Sequence, residues 1–159
     1  MIVLMYFLTR TPCRIVTTSV DANQLQAVLW GEINRFIQTS SIPLEHTKGG
    51  PLVVNHMMIR KINQKTKEVD GLSYIIGRVA AQGEGMLGHH IAKTGDGVPR
   101  TLFLADEASG VDDVSYERAS TWAHRVLVIG NCYSNPAGAN FFQKGVKQGD
   151  IPATDYGEK

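Results

Sequence analysis

The chain has 159 residues, 43% of them hydrophobic and 19% charged, enough for one ordinary globular domain with its own core and crowded for two. Its formal net charge of +1 excludes a global basic field of the kind that gathers nucleic acid without local help. Cys13 and Cys132 form no CxxC pair, so they read as small core or turn residues, and a reducing, intracellular compartment is the default.

The N-terminal run MIVLMYFL is far shorter than the ~20 apolar residues that cross a bilayer. Its flanks lack the basic region and small-residue cleavage site of a signal peptide. Residues 1–8 read instead as the buried end of a helix, with a strand as the alternative, and Thr11-Pro12 ends the element. The β-branched run Arg14-Ile15-Val16-Thr17-Thr18 predicts a buried strand. Asp21 followed by Gln24 is a helix-start signature, because the carboxylate can take up free backbone N–H groups. At helical spacing, Leu25, Val28, Leu29, Ile33, Phe36 and Ile37 then form one face.

Beyond the loop at Ser40-Ser41-Ile42-Pro43, residues 51–62 and 72–80 read as two strands of a hairpin. They are joined by the charged stretch from Asn63 to Glu68, with Asp70-Gly71 as the turn signal. A glycine-laden loop, 82–99, leads to Thr101-Leu102-Phe103-Leu104-Ala105 and then abruptly to Asp106-Glu107. Such an apolar run reads as a buried strand that releases its chain at a site. A short helix at 113–122 and a second apolar run, Val126 to Ile129 ending in Gly130-Asn131, complete the pattern. Strands alternating with helices, with polar residues at strand ends, predict an α/β sheet whose function lies along its carboxyl edge. The tail from Gln148 to Lys159 reads as loose.

Acids at the end of a buried strand suit phosphoryl transfer, which needs positioning and charge neutralisation more than covalent chemistry. One carboxylate, Asp106, can hold Mg²⁺ and its neighbour, Glu107, can polarise a water. The bland alternative is that the pair caps the following helix. Asn131, delivered by the next strand, could sense a terminal phosphate through its amide. Taken singly, Gly130-Asn131 is a turn.

The string LFLADEASGVDDVSYERASTWAHRVLVIGN resembles the Walker B to coupling-motif segment of phage large terminases. RIVTTSVDANQLQAVLWGEI, GMLGHHI and NFFQKG are similar to flanking segments of that family, and together they cover most of residues 10–145. The resemblance implies a P-loop NTPase-type, mostly parallel sheet with flanking helices, spanning residues 1–147. It also implies Mg²⁺ and ATP as cofactors, with Asp106 as the metal-coordinating acid, Glu107 as the catalytic glutamate and Asn131 as the coupling residue. Implied partners are double-stranded DNA, a portal protein, a small terminase subunit and further copies in a ring, in a bacterial host cytoplasm and without a membrane.

Departures from the family accompany this likeness. No GxxxxGK[ST] stretch occurs, so the nest that cradles β- and γ-phosphates is missing. The expectation is that Met1 falls just after the P-loop, that the P-loop strand and the nuclease domain are absent, and that the chain alone is inactive. A non-catalytic prophage remnant or one subunit of a split motor is the rival reading. Gly83-Glu84-Gly85-Met86-Leu87-Gly88 also satisfies GxGxxG, which makes a dinucleotide-binding turn the leading enzyme alternative. His89-His90 reads as a solvent-facing loop pair, and Arg60-Lys61 with Lys65 and Lys67 as a solvated hairpin end.

Overall fold

Six strands build one mixed sheet in the computed structural model, which describes residues 1–79, 86–92, 95–131 and 145. The strands are β1 (Arg14–Thr18), β2 (Leu52–Asn55), β3 (Met58–Ile62), β4 (Val69–Gly77), β5 (Thr101–Ala105) and β6 (Arg125–Val128), in the order β2-β3-β4-β1-β5-β6. β4, β1, β5 and β6 run parallel, and β2 and β3 add an antiparallel wing at the β4 side. The expected α/β class therefore holds. β1 and β5 are interior strands, and beyond Arg14 their side chains are apolar or β-branched on both faces, as strands covered twice must be.

Alternation along those strands feeds two cores. Ile15, Leu102 and Leu104 face α1 (Ile2–Leu8) and the helical stretch after β1, where Phe7, Leu25, Trp30 and Ile33 are buried. Val16, Phe103 and Ala105 face the other way, toward Met86, Trp122 and Tyr116 of α3 (Asp113–Ser120). Each such side chain taken from water contributes roughly 1.5–3 kcal/mol, so the sheet is held from both sides. The predicted helix end at residues 1–8 corresponds to α1, with Val3, Leu4 and Phe7 inward.

Several expectations need correction. The helix after β1 begins as predicted, with the Gln24 N–H donating to Asp21 Oδ1 at 2.8 Å. However, Gln24–Trp30 winds as a π-helix before the α-helix α2 (Gly31–Thr39). An i→i+5 winding turns the chain less per residue. Val28, expected inside, is consequently 47% exposed, and Trp30, five residues after Leu25, is fully buried. Its indole Nε1 donates to Thr17 Oγ1 at 3.0 Å. Gly77 admits that ring, because a Cβ there would lie 2.6 Å from Nε1.

Residues 51–62 are not one strand but the β2–β3 pair, folded at His56-Met57. Asp70-Gly71, read as the turn, lies inside β4. The turn is made earlier, by Asn63, whose N–H donates to Glu68 O and whose Oδ1 accepts from Lys65 N, with Lys67 in the left-handed region. Lys61 is buried rather than solvated: its ammonium donates to Arg10 O and to Thr11 Oγ1 and lies over the Phe7 ring. Burial lowers its pKa.

His89 is likewise buried, its Nδ1 2.7 Å from Tyr74 Oη and its ring edge-on to Tyr74 and Trp122, while His90 is exposed. The glycines Gly83 and Gly85 lie outside the described residues, as does the tail 148–159. Residues 87–92 and 95–100 contain no helix, so the long helix that a dinucleotide fingerprint requires after its third glycine is not there.

Candidate functional site

All four parallel strands end on the same edge, and the chemistry-bearing side chains gather there. β1 releases Ser19, β4 releases Arg78, β5 releases Asp106 and Glu107, and β6 releases Gly130 and Asn131. The register pairs Thr18 with Ala105 and Ala105 with Val128. Adjacent strands lie ~4.8 Å apart, so Asp106 is flanked by the ends of β1 and β6. Residues 101–105 and the second apolar run therefore pair, in parallel.

The turn that carries the acids is fixed by several independent contacts. Asp106 N–H donates to Thr18 O at 2.9 Å, and Ala108 N–H donates to Ile129 O at 2.8 Å. From α3, the Tyr116 hydroxyl donates to Ala108 O at 3.0 Å, and burial raises the pKa of that phenol. Glu107 sits in the left-handed region at φ 53°, ψ 43°, a conformation costing a residue with a Cβ roughly 1–3 kcal/mol and concentrated at functional sites. Gly130 lets the two strand ends approach: a Cβ there would stand 2.8 Å from Ala108 N. α3 opens on Asp112, whose Oδ1 accepts from Ser115 N at 2.8 Å.

Exposure grades the site outward. Asp106 is partly exposed, whereas Glu107 and Asn131 are exposed. Gln24, at the start of the helical stretch after β1, donates from Nε2 to Glu107 Oε1 at 3.4 Å. Below them, Thr18 Oγ1 and Ser19 Oγ are buried without a hydrogen-bond partner among the described residues. The sequence reading took Gln24 only as part of a helix start; its contact with Glu107 depends on the fold.

The fold is similar to that of the Thermus phage P74-26 large terminase ATPase domain, with a TM-score of 0.55 and 12% sequence identity. The likeness covers 89% of this chain and 55% of that one. No protein-family model matches the sequence, and no curated protein matches it. At that identity the likeness establishes the arrangement of strands and helices and not the chemistry. Among the described residues no helix is long and apolar enough to cross a membrane.

Proposed function

We propose that this chain is part of a DNA-packaging ATPase motor of the large-terminase kind, and that turnover of ATP requires a phosphate cradle that these 159 residues do not themselves contain. The observation carrying this reading is the convergence of Asp106, Glu107 and Asn131 on one edge through paired parallel strands. In this role Asp106 holds a hydrated Mg²⁺, Glu107 orients and polarises the attacking water, and Asn131 reads the terminal phosphate. The donor set fits the ion, because Mg²⁺ keeps several waters and takes one or two carboxylates together with phosphate oxygens. When bound, Mg·ATP brings the transferable phosphoryl group and the charge neutralisation.

The strained turn at Glu107, braced by Tyr116 and Ile129, supports a preorganised position for that carboxylate. Double-stranded DNA, a portal protein, a small terminase subunit and a ring of copies are the partners this reading entails, with the bacterial cytoplasm as its place of action. The absence of GxxxxGK[ST] from the sequence is the reason for expecting no turnover alone.

Titrating Mg·ATP into the chain and into its Asp106→Ala variant tests the proposal. Binding weaker than micromolar, no turnover, and loss of the residual binding in the variant are expected. Micromolar affinity with turnover by the chain alone would refute the need for a cradle. Binding unchanged by Asp106→Ala would remove Asp106 from the site.

Among the described residues, β6 pairs on one side only, and Val126 and Ile129 are nearly half exposed, an edge where a further strand can pair. A split motor and a decayed remnant share that edge. The reading frame immediately upstream discriminates between them. A P-loop encoded there indicates a split gene or a misplaced start, and none indicates decay.

A further inference from the structure

The antiparallel wing concentrates positive charge that neither the core nor the carboxyl-edge acids use. Between residues 51 and 78 the sequence carries five basic side chains, Arg60, Lys61, Lys65, Lys67 and Arg78, against two acidic ones, Glu68 and Asp70. The whole chain is only +1, so the wing is the basic region of a molecule that is otherwise slightly acidic.

Sheet alternation places two of these arginines on one face. Ile59 belongs to the core under α1, and Lys61 lies over Phe7 of that helix, so Arg60, between them, faces away from α1. On the neighbouring strand, a Cβ at Gly77 would meet the Trp30 ring, which is packed in the same core as α1. Arg78, next in the chain, therefore shares the face of Arg60. Its backbone still follows the strand, because Arg78 N–H donates to Thr17 O at 2.9 Å. Arg60 is paired with Tyr74, and Arg78 lies four residues beyond that tyrosine, roughly 13 Å along β4 at ~3.3 Å per residue. Burial raises the pKa of the Tyr74 phenol, and the charges of Arg14 and Arg78 oppose that rise, as guanidinium groups on the phenol's side of the sheet do.

No carboxylate on the strands offsets this charge. β1, β2 and β3 contain none. The one in β4, Asp70, lines a cleft with Leu8 and Lys61 on the α1 side, and Glu68 sits in the turn before β4. Among the described residues neither Arg60 nor Arg78 has an ion-pair partner, and both are exposed. Arg14, over the Tyr74 ring, donates to Leu72 O and His90 O, so it adds charge to the face while its N–H groups are engaged elsewhere. Two unneutralised guanidinium groups fixed this far apart suit a repeating anion. Charges advance 3.4 Å per step along one strand of a duplex, so roughly 13 Å spans about four steps and each arginine can hold its own phosphate.

We infer that the face of the β2–β3–β4 wing away from α1 docks on the phosphate backbone of duplex DNA through Arg60 and Arg78. The choice of duplex DNA rests on the motor reading above, whereas the charge pattern stands without it. Contacts of this kind position the duplex and read no sequence.

The test is fluorescence anisotropy of a short labelled DNA duplex titrated with the full chain, without nucleotide, at several salt concentrations. Arg60→Ala and Arg78→Ala should each weaken binding about eightfold near 0.1 M salt and lower the slope of log affinity against log salt by about 0.9, the loss of one phosphate contact. The double variant should lose about 1.8 of slope. Arg60→Lys and Arg78→Lys keep a point charge for the phosphate and should retain most of it. Arg35→Ala removes a positive charge from α2, which packs on the other face of the sheet, and should change neither quantity. All three arginines are exposed, so thermal melts of the variants should match the parent.

Absence of duplex binding, or equal weakening by Arg35→Ala, would overturn the inference. Tighter binding of a single strand through the same two arginines would overturn the choice of duplex. No nucleotide is present, so duplex binding that depends on Arg60 and Arg78 can hold while the Asp106→Ala titration fails, or the reverse, and the two readings fail separately.

Discussion

Replacing Gly130 by alanine probes the packing that brings the ends of β5 and β6 together. The added Cβ would stand 2.8 Å from Ala108 N and 3.3 Å from the Glu107 carbonyl carbon. Ordinary contact begins near 3.4 Å, so the strand ends must part by about 0.6 Å at the tighter point. Both neighbours are backbone atoms, so no rotamer change can relieve the clash. The Ala108 N–H is also committed to Ile129 O, the residue just before Gly130. Overpacking of this kind costs about 1–3 kcal/mol, and for a chain of this length that corresponds to a thermal midpoint lowered by about 2–12 °C. Gly71→Ala is the control, because nothing lies within 4 Å of its Cβ position; it should be neutral or gain up to about 1 kcal/mol. Circular dichroism melts of the three proteins decide the matter. A Gly130→Ala protein as stable as the parent would refute the close approach of the strand ends, and with it the preorganised turn at Glu107.

Trp30→Phe should destabilise the chain by about 1–3 kcal/mol, because it removes the donor to the buried Thr17 hydroxyl. A double-mutant cycle with Thr17→Val should return a coupling near 1 kcal/mol, and additive effects would mean the bond contributes nothing. Burial pushes the Cys13 thiol from about 9 up to about 11, against the pull of Lys61, Arg10 and Arg100. The unfolded chain then loses this proton first, so the stability from the protonated thiol is complete below pH 9 and declines as pH rises to 11. The decline is about 2–3 kcal/mol at most. Urea midpoints across that window should therefore converge for wild type and Cys13→Ala; curves that stay parallel would contradict the shift.

Much of the fold follows from local chemistry that a sequence displays. A short apolar run such as Leu102-Phe103-Leu104, bounded by turn residues, suits a strand covered on both faces, and a carboxylate three residues ahead of Gln24 suits a helix cap. Asp106, Glu107 and Asn131 were legible as candidates because polar residues immediately follow such runs. Strand order, the π winding and the burial of Lys61 and His89 were not, because each depends on partners distant in sequence. Lys61 is buried because Arg10 and Thr11 accept its protons, and His89 because Tyr74 and Trp122 surround it.

The pattern of residues along the chain therefore determined which segments are strands and which side chains end them, since those properties depend on neighbours a few positions away. Only the tertiary structure decided that β1 lies between β4 and β5, that Trp30 rather than Val28 enters the core, and that Arg60 and Arg78 share one face of the sheet. Contacts between residues tens of positions apart are set by how whole faces pack, and no local pattern encodes that.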